Sequence, residues 1–357
     1  MSNVFEGSKI HNILKDERFL YPDYVPERIP FREQEVSEMV FCLKPSTQGK
    51  KPENIFISGL PGTGKTVTSK FVLNELEEYS DRTKCLYINC FEINSYNGIF
   101  AKATNFLGYP IPIRGLSNEE IFERFVAVIK NKKIVPVFVF DESEQLLKKE
   151  DTKKLLYDLS RLNDQFKLFI GLIFISNDPM FLSLLDDRIR SSLNASVIKF
   201  EKYSCQELKE ILKERAKYSF FSNVMEEEVI PLCAAHSANV GDARVAIDTL
   251  LKSARIAEKE NSKKIMVKHV RKAFQEEKVI KFEIINNLTE QEKLILKLIS
   301  KEEKTSVEIY NILKNKFAER TLRKAIFELE KKNVIEIIEK QLGKGITRTI
   351  KKKNSPF

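Results

Sequence analysis

Short apolar runs alternate with amphipathic stretches through the first 200 residues of the chain. The runs NIFISG, KCLYINC, KKIVPVFVFDE and FKLFIGLIFIS are rich in Ile, Val and Phe, as expected of parallel strands that are buried on both faces. Between them lie helical stretches such as KTVTSKFVLNELEEY and SNEEIFERFVAVIKN. The alternation predicts an α/β layered domain with a parallel sheet over residues 1–200.

The pattern changes twice after this domain. The amphipathic stretches SCQELKEILKERAKYSF, MEEEVIPLCAAHS and GDARVAIDTLLKSARIAEKE predict a helical unit over residues 201–284. From residue 285, three helical segments precede VIEIIEKQLGKGITRTIKK, which looks like two strands around a Gly-containing turn. Thr289 and Glu292 have capping-box spacing at the start of the first of these helices. The order helix, helix, helix, hairpin predicts a winged-helix domain over residues 285–357.

Composition places the chain among globular proteins. Of its 357 residues, 42% are apolar and 31% are charged, which argues against a disordered or fibrous class. The N-terminus lacks the layout of a signal peptide, and no apolar run reaches the roughly 18 residues of a membrane span, so a cytoplasmic protein without a membrane is expected. The five cysteines are scattered without a C-x-x-C pair, which argues against a disulfide framework or a zinc site and predicts reduced core thiols: Cys42, Cys85, Cys90, Cys205 and Cys233.

The positive charge is concentrated near the C-terminus. Residues 285–357 contain 17 Lys and Arg against 10 Asp and Glu, which is +7 of the net charge of +9. Two interpretations remain open at this point: a solvated Lys-rich surface, or a surface that binds polyanionic nucleic acid.

The stretch GLPGTGKT, residues 59–66, carries the strongest chemical signal. It fits G-x-x-x-x-G-K-[ST], follows a predicted strand and opens a predicted helix. The glycines let backbone N–H groups turn inward around phosphate oxygens, Lys65 neutralises the β and γ phosphates, and Thr66 offers its hydroxyl to Mg²⁺. A chance glycine-rich turn is the weaker alternative in this setting.

Two later strands end in polar side chains. VPVFVFDESEQL places Asp141 and Glu142 at the carboxyl end of a buried strand, where ligands bind in open α/β sheets. Asp141 would hold Mg²⁺, and Glu142 would orient and polarise the attacking water. Asn177 ends the next strand. It is either a turn residue before Pro179 or a hydrogen-bonding partner of that water or of the γ-phosphate, and its position one strand after Asp141 favours the second role.

Together these motifs resemble the AAA+ ATPases, and within them the archaeal origin-recognition and cell-division-control initiators. The resemblance covers nearly the whole chain. It is carried by DYVPERIPFREQEV, GLPGTGKT, the strand ending in Asp-Glu, ISND, LDDRIRSSL, FEKYSCQELKEILKERA, GDARVAIDTLL and the C-terminal segment. It implies an AAA+ P-loop core with a parallel sheet, a helical lid and a C-terminal winged helix. One departure is Glu144, because the family usually has Asp at the fourth position of D-E-[IA]-D.

The resemblance also implies roles for single residues. Val25, Pro26 and Arg32 would lie on the base side of the nucleotide, Tyr203 and Arg215 would line the site from the lid, and Arg244 would reach the phosphates. Arg188, the first arginine of the R-x-R-S-S-L stretch, would act as an arginine finger on a neighbouring subunit, while Arg190 would pair with nearby acids or face solvent. With the phosphate loop included, the expected ATP-binding or ADP-binding set is Val25, Pro26, Arg32, Gly62, Thr63, Gly64, Lys65, Thr66, Val67, Tyr203, Arg215 and Arg244, with Asp141, Glu142, Asn177 and Arg188 as catalytic residues and Thr66 and Asp141 as Mg²⁺ ligands.

For DNA, the resemblance implies contacts from two places. The third C-terminal helix and its wing would meet the duplex through Arg320, Thr321, Arg323, Lys324, Lys344 and Arg348. The segment GYPIPIRGLSN matches the family's initiator-specific insertion and would contribute Arg114. For each of these residues alone, a solvated basic or polar side chain is the alternative.

The expected function is that of an ATP-dependent initiator, associated with the nucleoid, that binds double-stranded origin DNA with other initiator subunits. It would recruit the minichromosome maintenance helicase and hydrolyse ATP weakly as a switch. The alternative is a P-loop signalling or transcription-regulating switch with a winged-helix domain.

Overall fold

The computed structural model describes residues 13–112, 115–286, 288–300, 302–332, 334–342 and 345–352, with backbone alone for residues 277–286, 338–342 and 345–347. The chain divides into two compact units between Leu251 and Lys252. The helices are α1 (Glu33–Leu43), α2 (Lys65–Tyr79), α3 (Tyr96–Phe106), α4 (Asn118–Lys132), α5 (Glu150–Ser160), α6 (Leu162–Phe166), α7 (Asp187–Leu193), α8 (Cys205–Ser219), α9 (Val229–Ala238), α10 (Ala243–Lys259), α11 (Val267–Asn286), α12 (Glu290–Ile299), α13 (Ser306–Leu313) and α14 (Glu319–Lys331). The strands are β1 (Ile55–Gly59), β2 (Thr83–Asn89), β3 (Val135–Asp141), β4 (Gly171–Ser176), β5 (Ser196–Phe200), β6 (Lys304–Thr305), β7 (Ile335–Leu342) and β8 (Gly345–Lys352).

The first unit is built on a five-stranded sheet in the order β2-β3-β4-β1-β5, with every neighbouring pair parallel. Successive residues of β3 point to opposite faces, and both faces are buried. Phe138 and Phe140 belong to one apolar core, and Val137 and Val139 to another. This confirms the predicted α/β fold with a parallel sheet buried on both sides.

The structure corrects two details of the sequence prediction. The segment Ser196–Phe200 forms a fifth strand at the sheet edge, paired with β1, although only four strands were predicted from the apolar runs. Val197 and Lys199 are exposed, so this edge strand lacks the continuous apolar run of the others. Cys205 is an exposed thiol, contrary to the prediction of core thiols, because it occupies the first turn of α8.

The second unit contains α12, α13 and α14 and a three-stranded antiparallel sheet in the order β6-β8-β7. Its elements follow the predicted helix, helix, helix, hairpin order, with β6 as an addition. Ile295, Ile309, Leu322, Leu329 and Ile350 are fully buried in its core. The predicted capping box is confirmed, since Thr289 accepts a hydrogen bond from the Glu292 N–H and Glu292 accepts one from the Thr289 N–H.

Within the described part of the chain, no helix combines the length and apolar character that crossing a membrane requires.

Candidate functional site

The loop between β1 and α2 is shaped by glycine and by a residue distant in sequence. Gly62 and Gly64 have φ angles of 74° and 93°, in the left-handed region that side chains disfavour. A Cβ on Gly62 would lie only 1.7 Å from Oδ1 of Asp242, and a Cβ on Gly64 would lie 2.6 Å from the Tyr203 hydroxyl. Only glycine fits these two positions, so the backbone can turn its N–H groups toward an anion.

Lys65 begins α2 and is held at the centre of this loop. Its Nζ donates hydrogen bonds to the carbonyl oxygens of Gly59 and Leu60 and to Oδ1 of Asn177, at 2.7, 2.9 and 2.8 Å. Burial lowers the pKa of Lys65 to about 8, while the nearby Asp141 and Glu142 act in the opposite direction. The ammonium therefore lies between the phosphate loop and the carboxylates, and its role in neutralising phosphates stays a prediction.

Thr66 and Asp141 are brought together as the predicted Mg²⁺ ligands. The Thr66 hydroxyl donates to Oδ2 of Asp141 at 2.7 Å. The same oxygen accepts a hydrogen bond from the hydroxyl of Tyr87, on the neighbouring strand β2. Carboxylate and hydroxyl oxygens are ligands that Mg²⁺ accepts, so the donor set fits the ion.

Glu142 follows β3 with φ 54°, a left-handed conformation that directs the chain away from the sheet. Its Oε2 accepts a hydrogen bond from Nδ2 of Asn177 at 2.9 Å. Glu144 lies beside it and accepts a hydrogen bond from the Ser176 hydroxyl at 2.6 Å. Burial, followed by the contact with Glu144, raises the pKa of Glu142 to about 7.

The strand order explains why these groups meet. β4 lies between β3 and β1 in the sheet, so Asn177, at the end of β4, lies between Glu142 and the phosphate loop. Its amide contacts Lys65 on one side and Glu142 on the other. This arrangement supports the polar role over the alternative of a simple turn residue.

The lid helix α10 touches the phosphate loop directly. The Ala243 N–H donates to the Gly62 carbonyl at 3.1 Å, and Asp242 lies against Gly62. Asp242 also accepts hydrogen bonds from the Arg244 backbone and guanidinium at 2.8 and 3.0 Å. The Arg244 side chain remains 57% exposed.

Arg32 is buried behind the loop. It donates to the carbonyls of Thr63 and Glu201, and its guanidinium lies 4.1 Å from the centre of the Tyr203 ring. It also pairs with Glu35 at 3.0 Å. Because its nitrogens meet protein acceptors, Arg32 braces the loop against Tyr203, and direct contact with a nucleotide base stays a prediction.

Of the three predicted base-side residues, Pro26 lines a cleft between the N-terminal segment and α8, whereas Arg32 lies behind the phosphate loop. The cleft, of about 430 Å³, is lined in part by Tyr24, Pro26 and Arg215. The Arg215 guanidinium donates to the carbonyls of Phe19 and Tyr24 and stacks on the Tyr24 ring at 4.5 Å. Val25 is half-buried in the same segment, and Val67 is half-buried in the first turn of α2.

The two arginines of α7 differ in their partners. The Arg190 guanidinium pairs with Asp187 at 2.6 Å, which confirms that it contacts a nearby acid. Arg188 is 75% exposed, and its contact with Asp186 is longer, at 3.4 Å. The Arg188 side chain is therefore the more exposed of the two, and its action on a neighbouring subunit stays a prediction.

The predicted DNA-binding residues of α14 share one property: Arg320, Thr321, Arg323 and Lys324 are all exposed near the start of the helix. Arg323 pairs with Glu319 at 2.6 Å and lies 5.9 Å from the Tyr310 ring. Arg348 is exposed on β8. The other two predicted contacts, Arg114 and Lys344, lie outside the described residues.

Several functional contacts escaped the sequence analysis. Tyr87 and Asp242 have no motif that links them to Asp141 and Gly62, because the pairs are far apart in sequence. Asp242 could have been suspected, since it belongs to the stretch GDARVAIDTLL, two residues before Arg244. Tyr87 could have been found only from the pairing of β2 with β3.

Comparisons with known proteins agree with this geometry. Residues 48–177 match the family model of the AAA domain, and residues 209–275 match that of the Cdc6 AAA+ ATPase-type lid domain. The ORC1-type DNA replication protein 1 of Sulfurisphaera tokodaii is 39% identical over 288 residues, which cover 80% of this chain and 72% of the relative. The corresponding protein of Desulfurococcus amylolyticus is 34% identical over 362 residues, with coverage of 95% and 91%.

Solved structures of similar proteins agree with these sequence matches. The Aeropyrum pernix ORC1 protein in complex with DNA has a TM-score of 0.74 and 30% identity, covering 95% of this chain and 94% of its own. Cdc6p from Pyrobaculum aerophilum has a TM-score of 0.68 and 25% identity, covering 96% and 95%. Because identity above 30% extends over most of this chain and of its relatives, the chain belongs to the archaeal ORC/Cdc6 family of AAA+ proteins.

Proposed function

We propose that this chain is a DNA replication initiator whose attachment to origin DNA is controlled by bound ATP or ADP. One observation carries the proposal: Asp242 and Ala243 of the lid contact Gly62 of the phosphate loop. Phosphates bound at this loop would meet the lid where it touches the core. A change from ATP to ADP would therefore alter the lid contacts, which is what a nucleotide-controlled switch requires.

In this proposal each residue of the site has a separate role in ATP binding or hydrolysis. Lys65 neutralises the β and γ phosphates, and Thr66 and Asp141 hold Mg²⁺, which would stabilise the charge of the transferring phosphoryl group. Glu142 accepts the proton of the attacking water, and Asn177 orients that water. The Arg244 guanidinium breaks its ion pair with Asp242 and binds the phosphates of the nucleotide. The base would lie toward Val25, Pro26, Tyr203 and Arg215.

Slow hydrolysis by an isolated subunit follows from the position of Arg188. Its side chain is exposed on α7, whereas Lys65 and Asn177 are gathered inside the site. In the proposed assembly, Arg188 completes the site of a neighbouring initiator subunit on DNA. An arginine supplied in this way can raise hydrolysis by several orders of magnitude.

DNA contact is assigned to the last of three proposed domains, 1–200, 201–284 and 285–357. Its helix order is that of a winged helix, and it carries +7 of the net charge of +9. The exposed residues of α14 would enter the major groove, with Arg348 on β8 and also Lys344 and Arg114 as further contacts. A relative of 30% identity was solved in complex with DNA, which supports this assignment.

The same family membership supports two further partners. Other initiator subunits would lie beside this one on the origin, and the minichromosome maintenance helicase would be recruited there. The protein would accordingly associate with the nucleoid.

The decisive experiment is genome-wide mapping of the bound full-length protein against replication start sites. We expect occupancy to coincide with start sites and to fall in a Lys65→Ala strain, with helicase signal falling at the same positions. Occupancy at promoters, without replication start sites and without helicase, would contradict the proposal and favour a transcriptional role.

A further inference from the structure

An aromatic side chain stands at the centre of the exposed face of α14. Phe327 is 60% exposed, although the same helix buries Leu322, Ala325, Ile326 and Leu329 on its opposite face. At 100° per residue, Phe327 points almost directly away from the middle of that buried set. The phenyl ring of Phe327 therefore lies outside the apolar core of the unit.

Most of the exposed charged residues on this side of α14 are basic, and Glu330, three residues after Phe327, is the exposed acidic one. Around the helix axis, Arg320 lies about 20° from Phe327, Lys331 about 40° and Lys324 about 60°. All three are exposed. A single exposed apolar residue is ordinary, but a phenyl ring on a helix side with three exposed cations and one exposed carboxylate favours a partner that is anionic around an apolar point.

We propose that Phe327 contacts the 5-methyl group of a thymine in the major groove, while the surrounding basic residues contact phosphates or purine edges. The inference rests on the proposed function, since it takes α14 as the helix that enters DNA. A phenyl ring cannot exchange hydrogen bonds with base edges, and the thymine methyl is the apolar group that the major groove displays. Phe327 thus selects sequence, whereas the cations supply mostly sequence-independent affinity.

The test uses the full-length protein and a synthetic duplex library. A duplex enriched by the wild-type protein serves as the probe, together with a set in which each thymine in turn is replaced by 2′-deoxyuridine, which removes only the methyl group. We expect one or two replacements to weaken wild-type binding roughly three- to ten-fold, about the effect of one or two apolar groups leaving contact. Phe327→Ala should bind the thymine and deoxyuridine duplexes equally well.

Two variants control this measurement. Phe41→Ala removes an exposed phenyl ring from α1, where the side chain is 74% exposed, and should retain full discrimination. Arg320→Ala should weaken binding to every duplex and lower the salt dependence, while keeping the preference for the methyl group. Thermal unfolding of Phe327→Ala should match the wild type, because the ring contributes little to the core.

The outcomes separate this inference from the proposed function. Two results would contradict the role of Phe327: wild-type binding that is unaffected by every thymine replacement, or a methyl preference that persists in Phe327→Ala. If Arg320→Ala still weakens binding in either case, α14 remains the DNA-binding helix. If no duplex is enriched and Arg320→Ala changes nothing, both proposals fail, and the exposed ring is then better explained by a protein partner.

Discussion

The ammonium of Lys65 lies 2.8 Å from Oδ1 of Asn177. The Nδ2 of the same amide donates to Glu142, so one planar group connects the phosphate-binding cation with the proposed general base. The orientation of the amide is defined by the two partners, because a cation requires the oxygen and a carboxylate requires the nitrogen.

This relationship predicts the effect of Asn177→Asp. The new carboxylate has the size of the amide but cannot donate to Glu142, and it would repel that carboxylate. We expect ATP hydrolysis to fall at least ten-fold, and ATP affinity to fall as well, because the new carboxylate competes with the phosphates for the Lys65 ammonium. Turnover assays and calorimetry measure the two quantities. Asp178→Asn, one residue away, should leave both unchanged, and an unaffected turnover in Asn177→Asp would remove Asn177 from the catalytic set.

Substitutions of Lys65 and of Glu142 should have different effects, the first on ATP binding and the second on ATP hydrolysis. Lys65→Ala removes the main countercharge of the β and γ phosphates and should abolish ATP binding. Glu142→Gln keeps the shape of the side chain but loses the base, so ATP should bind and hydrolysis should be lost. Calorimetry with ATP and a turnover assay distinguish these outcomes, and undiminished affinity in Lys65→Ala would contradict the phosphate-loop assignment.

Gly62→Ala should damage the site more than the same change at Gly49. Both glycines have left-handed φ angles, 74° and 72°, so alanine costs each about 1–2 kcal/mol of backbone strain. At Gly62 the methyl would also overlap the Asp242 carboxylate, whereas at Gly49 the nearest atom is 3.6 Å away. We expect loss of ATP affinity in Gly62→Ala alone, measured by calorimetry on folded protein. Equal behaviour of the two variants would show that the lid does not constrain the loop.

Arg188→Ala should leave the isolated subunit almost unchanged. The side chain is exposed and forms an ion pair with its neighbour Asp186, so ATP affinity at low protein concentration should equal that of the wild type. Hydrolysis that rises with protein concentration or on DNA should fall ten-fold or more. Arg190→Ala, which removes a cation paired within the subunit, is the matched control. Loss of ATP binding by dilute Arg188→Ala would place this arginine in its own site.

Lys332→Ala should destabilise the C-terminal unit in a pH-dependent way. Glu292 is only 2% exposed and accepts a hydrogen bond from Lys332 at 2.6 Å. Burial alone would raise the pKa of Glu292, but the hydrogen bonds from Lys332 and Thr289 outweigh it, so the pKa lies below its ordinary value of 4.5. The stabilisation is therefore present above pH 4.5 and is lost as the pH falls through the lowered pKa.

We expect Lys332→Ala to cost about 1–2 kcal/mol at pH 7, less than a fully buried pair would, because Lys332 is a third exposed. Hydrogen exchange of the C-terminal unit at pH 7 and thermal unfolding from pH 3 to 8 measure the effect. The difference from wild type should shrink below pH 4, and the exposed Lys331→Ala should show no such dependence. A difference that is constant with pH would contradict a role for the ion pair.

Much of the fold could be predicted because its signals are local. The apolar runs correspond to β1–β4, and the stretch Lys65–Tyr79 is a helix with the predicted bounds. The phosphate loop, Asp141 and Glu142 were found because spacing along one segment defines each of them. The capping box at Thr289 is likewise complete within four residues. Hydrophobic period and cap chemistry act over one or two turns, so sequence alone determines them.

Tertiary structure decided which of these segments meet. Sequence does not state that β4 lies between β3 and β1, and this order places Asn177 between Lys65 and Glu142. The contact of Asp242 with Gly62 joins residues 180 positions apart, and Tyr87 reaches Asp141 only because β2 pairs with β3. The exposure of Phe327 also depends on which face of α14 the core covers. Such contacts depend on the packing of whole elements, whose free energy is shared among many residues, so no short pattern records them.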